Sequence, residues 1–207
     1  MICAIILAAG ESRRMGTPKL LLPFGGTTVI GHIVDQLLRS ALNSIFVVVG
    51  HEGDRIAAEL SGRPASIVTN PDYKTGMLSS VRCGLRALPK ECDAVMVVLG
   101  DQPAITAELV NEMVRSFAAS GKGILVPLHE GRRGHPLLFP TSYRDEILTR
   151  YDDVGLRGLL LSHPDEVREI NVSIPSVLSD MDNPEDYRRE LASFDENTRK
   201  TPKSRVE

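Results

Sequence analysis

The chain has 207 residues, long enough for one substantial domain and short for two. Its 42% hydrophobic and 25% charged residues are ordinary for a globular protein. A net charge of −3 gives no general attraction to nucleic acid or to anionic membranes, so neither is an expected partner and any phosphate site must be built locally.

The first element is the apolar run Ile2 to Leu7. It lacks a basic leading segment and is interrupted at once by Glu11, Arg13 and Arg14, so it reads as a strand rather than a signal peptide. A helical pattern follows from about Thr28 to Leu38, then the run Ile45 to Val49 and a helix near Asp54 to Leu60. Ser66 to Thr69 predicts a short third strand, Met77 to Leu88 a helix, and Ala94 to Leu99 a fourth strand. Ala107 to Ala119 predicts a helix and Gly123 to Val126 a fifth strand. Continuous apolar runs alternating with amphipathic helices imply strands buried on both faces of a mostly parallel sheet, in an α/β protein.

After Val126 the rhythm changes. His129 to Gly134 reads as a hairpin turn leading to Leu137–Phe139. Helical segments near Thr141 to Leu148 and Gly155 to Leu161 precede a strand at Val167 to Ile170. Asn183-Pro184 marks a helix start, with the proline just inside. The domain is expected over residues 1–192, and residues 193–207, polar and nearly without apolar side chains, are expected to form a disordered tail. No segment approaches the length of a membrane span. Cys3, Cys83 and Cys92 are odd in number and far apart, without zinc or redox spacing; reduced, packed thiols favour the cytoplasm.

In such sheets ligands gather at the carboxyl ends of the strands. The first loop there runs Leu7-Ala8-Ala9-Gly10-Glu11-Ser12-Arg13-Arg14-Met15-Gly16-Thr17-Pro18-Lys19. Its small residues leave backbone N–H groups open as an anion nest, and Arg14 and Lys19 can neutralise phosphate oxygens. An ordinary βα loop could carry the same cations, but their position right after a buried strand favours the phosphate reading. Leu20 follows Lys19 where a P-loop would have serine or threonine, and the glycine spacing is not that of a dinucleotide fingerprint. The fourth strand ends in Leu99-Gly100-Asp101-Gln102-Pro103, which sets a carboxylate where Mg²⁺ with bound phosphates would be held; Pro103 also suits a helix-starting aspartate, and both readings can hold, with the metal role favoured. Asp180 and Asp182 form a second acidic pair, which alone reads as a solvated helix cap.

Leu-Ala-Ala-Gly-x-Ser-x-Arg-Met-Gly followed by Lys19 resembles the opening of nucleotidyltransferases that activate small molecules with nucleoside triphosphates. Within them it is most similar to the molybdenum cofactor cytidylyltransferases of the MobA-like group, which join CMP to molybdopterin and release pyrophosphate. Asn70 to Val81 resembles that family's base-binding segment and Leu99 to Pro103 its Mg²⁺ site; Gly134-His135-Pro136 and Asp180 to Asp186 complete the pattern over roughly residues 2 to 190. The resemblance implies a Rossmann-like three-layer sandwich of the nucleotide-diphospho-sugar transferase type. It implies Leu7, Ala8, Ala9, Gly10, Ser12, Lys19, Gly76, Ser80 and Asp101 at the nucleotide, and Asp182 as a second metal contact. It further implies CTP and a molybdopterin-type cofactor as substrates, with a molybdoenzyme or its chaperone receiving the product. Ala9, where guanylyl-transferring relatives usually have glycine, adds a methyl that disfavours a purine, and Ser80 resembles a serine beside the pyrimidine in other cytidylyltransferases.

The reaction implied is attack by a substrate phosphate oxygen on the α-phosphorus, which needs no general base because the nucleophile is already an anion. Lys19, Arg14 and Asp101 are therefore the candidate catalytic residues, by charge and positioning. Arg133, Gly134 and His135 offer cations and an imidazole on a loop suited to an anionic acceptor, though a solvated turn with a packed histidine would read alike. The roles of Asp152, Asp153 and Arg157 do not follow from the sequence, and His32, His51 and His163 show no ligand spacing. The alternatives are a related transferase using GTP or another phosphorylated acceptor, and a nucleotide-binding protein without catalysis.

Overall fold

The computed structural model describes residues 1–119, 121, 123–173 and 175–200. In chain order it contains β1 (Ile2–Ala8), the short hairpin β2 (Pro23–Phe24) and β3 (Thr27–Thr28), α1 (Val29–Leu38), β4 (Ser44–Val49), α2 (Gly53–Glu59) and β5 (Ser66–Thr69). There follow α3 (Met77–Ala87), β6 (Ala94–Leu99), α4 (Ala107–Ala119), β7 (Ile124–His129), β8 (Arg132–Arg133) and β9 (Leu137–Pro140). The chain continues through α5 (Arg144–Thr149), α6 (Arg157–Ser162), β10 (Val167–Asn171) and α7 (Pro184–Lys200).

Among the described residues, eight strands make one sheet in the order β10-β7-β9-β6-β1-β4-β5, with β8 paired to β7. β1 lies between β4 and β6, parallel to both, in the registers Ile6↔Val47 and Ile6↔Val98. β9 runs antiparallel to β6 and β7, and β8 is antiparallel to β7. Alternate residues of β1 feed opposite layers. Ala4, Ile6 and Ala8 pack with α1 and α4 through Ile30, Ile33, Val34, Leu109 and Met113, while Cys3 and Ile5 pack with Val81 and Leu85 of α3 and Ile147 and Leu159 beyond. All six residues of β6 are buried. Burying a side chain of this size contributes about 2 kcal/mol, so a strand covered on both faces must be apolar throughout.

Local chemistry sets the ends of the elements. The Thr28 side chain accepts the Gly31 N–H at 3.1 Å and starts α1. Asn183 Oδ1 accepts the N–H groups of Glu185 and Asp186, and Asp186 reaches back to the Asn183 N–H at 3.1 Å, a reciprocal cap with Pro184 in the first helical position.

The β2–β3 hairpin adds to the elements expected from sequence: its strands are too short to show a period, and its signal is the pair Gly25-Gly26, whose φ angles of 58° and 84° suit a tight hairpin turn. One expectation needs correction. The expected tail does not begin at Ser193, because α7 continues to Lys200. Phe194 holds it down by packing on Phe24 and His32, with ring centroids 4.9 and 5.1 Å apart. The remainder of the expected tail, 201–207, lies outside the described residues. Cys3, Cys83 and Cys92 are free thiols. Among the described residues no helix is long and apolar enough to cross a membrane.

Candidate active site

The loop after β1 opens at the carboxyl edge of three parallel strands. It is tied to its neighbours by the Gly100 N–H on the Leu7 carbonyl at 3.0 Å and the His51 N–H on the Ala9 carbonyl at 3.3 Å. Ser12 takes a left-handed φ of 52°, a conformation rare for a residue with a side chain, and its Oγ accepts the Lys19 N–H at 3.2 Å. That bond folds the loop back and returns Lys19 to the strand end.

A cavity of about 470 Å³ lies against this loop. Leu7, Ala9, Gly10 and Ser12 line it from the β1 side, and Gly76 and Ser80 from α3 and the turn before it. Glu11, Arg13, Arg14, Lys19, Asp101 and Asp182 supply its charges. Of the nucleotide residues expected from sequence, Ala8 alone does not line the cavity: its side chain alternates to the other face of β1 and packs in the core.

The charged cluster is closely built. Lys19 Nζ lies 2.5 Å from Asp101 Oδ2 and 3.4 Å from Asp182 Oδ1, and Arg14 Nη2 lies 2.9 Å from Asp182 Oδ2. The Lys19 side chain is only 13% exposed. Asp182 reaches this place because the Met181 N–H donates to the Asp101 carbonyl at 3.1 Å and the Met181 side chain is fully buried. It is therefore no solvated cap; Asn183 and Asp186 do the capping. Asp180 sits beside the cluster with Oδ1 accepting from Gln102 Nε2 at 2.8 Å, and burial, with the charges of Asp101 and Asp182, raises its carboxyl pKa.

Two carboxylates converging on one ammonium form a donor set that a hard divalent cation fits, since Mg²⁺ takes one or two protein carboxylates and completes its shell with phosphate and water oxygens. No group of three or more His, Cys, Asp or Glu side chains placed to hold a metal ion occurs among the described residues.

On the α3 side, Ser80 is the fourth residue of its helix and caps nothing. It is buried, and its Oγ accepts from Asn70 Nδ2 at 3.0 Å. The same amide holds Ser79 Oγ at 2.9 Å. Tyr73 also lines the cavity, a residue absent from the expected set although it stands in the same motif, between Asn70 and Gly76.

A second cavity of about 810 Å³ abuts the first and shares Leu7 and Met77 with it. Arg133, Gly134 and His135 line it, as do Leu156, Arg157 and Leu160. The chemistry of the expected acceptor residues differs from the sequence reading. Arg133 Nε is 2.7 Å from Glu169 Oε1, and Glu169 lines the same cavity. The His135 ring is largely buried, its pKa is pushed down by that burial, and its Nδ1 has no hydrogen-bond partner. Neither residue is a free cation on an open loop. The Arg157 side chain, at the start of α6, lines this cavity and makes no hydrogen bond or ion pair among the described residues. The segment before it is held by Arg82, whose guanidinium donates to the Ile147 and Arg150 carbonyls and, at 2.6 Å, to Asp152. That gives Asp152 a structural role the sequence left open. Met77, Val154 and Leu161, all exposed apolar side chains, also line this cavity.

Residues 4–167 match the family model of the MobA-like NTP transferase domain. The chain belongs to that family. This MobA-like protein is accordingly a nucleotidyltransferase, as the resemblance in its opening loop implied. It is 28% identical to the molybdenum cofactor cytidylyltransferase of Escherichia coli K12, over 90% of this chain and 93% of that one. It is also 28% identical to the nicotine blue oxidoreductase of Paenarthrobacter nicotinovorans, over 92% of this chain and 96% of that one. Among solved structures, Rv0371c of Mycobacterium tuberculosis H37Rv superposes with a TM-score of 0.83 at 29% identity, covering 92% of this chain and 97% of that one. A manganese complex of Rv0371c superposes with a TM-score of 0.77 at 27% identity, covering 93% and 98%. The fold is that of the nucleotide-diphospho-sugar transferases, a three-layer sandwich about a mostly parallel sheet.

Proposed function

We propose that this MobA-like protein transfers CMP from CTP to the phosphate of a molybdopterin-type cofactor, releasing pyrophosphate, in a Mg²⁺-dependent reaction in the cytoplasm. The observation that carries the proposal is the cluster of Lys19, Arg14, Asp101 and Asp182 on one cavity that opens onto a second. Two cations beside two carboxylates suit a triphosphate with its metal. This favours nucleotidyl transfer over the redox activity named for the Paenarthrobacter relative.

The triphosphate lies along the small-residue loop from Ala9 to Ser12, with Lys19 and Arg14 on its oxygens. Asp101 and Asp182 would hold Mg²⁺, which when bound supplies charge neutralisation and a template for the phosphates. The acceptor phosphate oxygen forms a bond to the α-phosphorus while the bond from that phosphorus to the bridging oxygen of the leaving group breaks. Negative charge grows on pyrophosphate, and Lys19 and Arg14 are placed to meet it. Removal of one such cation raises the barrier by about 3 kcal/mol, a hundredfold in rate. The base lies toward Ser80, whose hydroxyl is oriented by Asn70; the Ala9 methyl on the same cavity supports a pyrimidine.

The second cavity takes the rest of the acceptor. Its apolar walls suit the face of a heterocycle, and Arg157, rather than Arg133, is its unpaired cation.

The test is pyrophosphate release with a molybdopterin-type acceptor and Mg²⁺, comparing CTP, GTP, ATP and UTP for the wild type and Asp101→Ala. Release with CTP that requires both acceptor and Asp101 is expected. A preference for GTP would discard the use of Ala9 and Ser80 as pyrimidine signals. Release with another phosphorylated acceptor only would replace molybdopterin.

A further inference from the structure

We infer that Lys19 gates the metal site: its ammonium stands between the two carboxylates that would hold a divalent cation, and it leaves them when a triphosphate arrives to receive it. The inference rests on the metal-dependent reading above and adds an order to it.

Lys19 Nζ contacts Asp101 at 2.5 Å and Asp182 at 3.4 Å, and Arg14 takes the other oxygen of Asp182 at 2.9 Å. Both cations assigned to the triphosphate are therefore engaged by the carboxylates assigned to the metal, Lys19 by both and Arg14 by Asp182. The four charges cancel among themselves, so these two carboxylates offer no unmatched negative charge to a dication, and Asp180 beside them is taken up by Gln102. A magnesium ion bound to these carboxylates would lie about 2 Å from their oxygens, at contact distance from the ammonium, and the two positive charges repel strongly in a part-buried site. Lys19 is mostly buried and has no other carboxylate partner among the described residues, so its contacts here are a defined arrangement rather than a solvated side chain.

A triphosphate bound along the loop from Ala9 to Ser12 changes the balance. Its oxygens offer Lys19 and Arg14 a new set of anions, and the two carboxylates are released to the metal that travels with the nucleotide. Partner exchange of this kind makes nucleotide and metal bind cooperatively, and the coupling is reciprocal: each tightens the other by the same factor. In the absence of nucleotide the lysine keeps the metal site closed.

The experiment measures Mn²⁺ binding by electron paramagnetic resonance for wild type, Lys19→Met, Lys19→Gln, Arg13→Met and Asp101→Asn, each without nucleotide and with CTP. Thermal melts establish that each variant is folded. Wild type should bind Mn²⁺ at least about tenfold more tightly with CTP than without. The two Lys19 variants should bind Mn²⁺ without nucleotide about tenfold more tightly than wild type, with the CTP effect reduced. Arg13→Met removes a neighbouring cation that pairs with Glu11 instead, and should change Mn²⁺ affinity less than about threefold, which separates displacement from a general change of charge. Asp101→Asn should lose binding in both conditions. Lys19 variants that bind bare Mn²⁺ no better than wild type, or no better than Arg13→Met, would overturn the gate and leave the metal-dependent reading standing. No Mn²⁺ binding by wild type with CTP would overturn both.

Discussion

Gly100 links the end of β6 to Asp101 and lies directly against the Leu7 backbone of β1. A Cβ at this position would lie 2.6 Å from the Leu7 carbonyl oxygen, whereas ordinary contact begins at 3.4 Å. In Gly100→Ala the two backbones must therefore separate by about 0.8 Å at the point where the Gly100 N–H also donates to that carbonyl at 3.0 Å. Neither partner is a flexible side-chain end, so the displacement falls on the loop bearing Asp101. Overpacking of this size costs about 2 kcal/mol, which for a domain of this length lowers Tm by about 4–8 °C. The effect on catalysis is larger in proportion, because displacing a positioned group by about 1 Å costs on the order of a hundredfold in rate. Steady-state pyrophosphate release, measured well below the melting transition of the variant, should show kcat down by roughly that factor, with melts recorded alongside. Wild-type kcat together with wild-type Tm would refute the argument that the contact between these strand ends positions the carboxylate.

Other measurements bear on other parts of the molecule. Arg157→Gln should raise the acceptor KM about tenfold with the CTP KM unchanged, while Arg133→Gln, whose charge is already matched by Glu169, should change acceptor KM less than about threefold; initial-rate kinetics with each substrate varied checks the split. Phe194→Ala removes a half-buried ring from Phe24 and His32 and should lower stability by about 2 kcal/mol with kcat intact, read by urea unfolding. Burial lowers the pKa of His32 and His135, so the unfolded chain takes up their protons first as pH falls. Their contribution to stability is complete above about pH 6.5 and is lost below it; the urea midpoint should drop between pH 7 and pH 5.5, less steeply in His32→Leu.

The parallel part of the fold was legible because its strands are covered on both faces. Ala94–Leu99 can be apolar throughout only in such a sheet, and its bounds in sequence and structure coincide. The nucleotide side of the site was legible for a related reason: in these sheets the loop after a strand carries the ligand groups, and the residues from Leu7 to Lys19 and at Asp101 are contiguous with β1 and β6. What could not be read depends on contacts between distant segments. Asp182 is brought to Lys19 by the Met181–Asp101 backbone bond, and nothing local in its sequence distinguishes it from a helix cap. Arg133 appeared as a free cation because Glu169, its partner, lies on another strand. Arg157 stood unassigned because its freedom is a property of its surroundings. The order of residues 193–200 was missed because one aromatic side chain, Phe194, anchors an otherwise polar helix.

Among the described strands β8 and β9 run against the others, and the direction of β9 decides where the chain can vary. Because β9 is antiparallel to β6, with Leu137 opposite Val97, the segment leading into it arrives at the same edge of the sheet that the parallel strands reach by their exits. Incoming and outgoing connections therefore share one rim, yet they belong to stretches more than a hundred residues apart, Leu7–Lys19 and His129–His135. A substitution or a change of length in the second stretch alters the larger cavity without touching the strand that seats the triphosphate loop. On the function proposed above, this separates a half that handles the nucleotide from a half that handles what the nucleotide is joined to. Under that proposal, replacing the turn before β9 should change the acceptor while leaving the charged cluster in place.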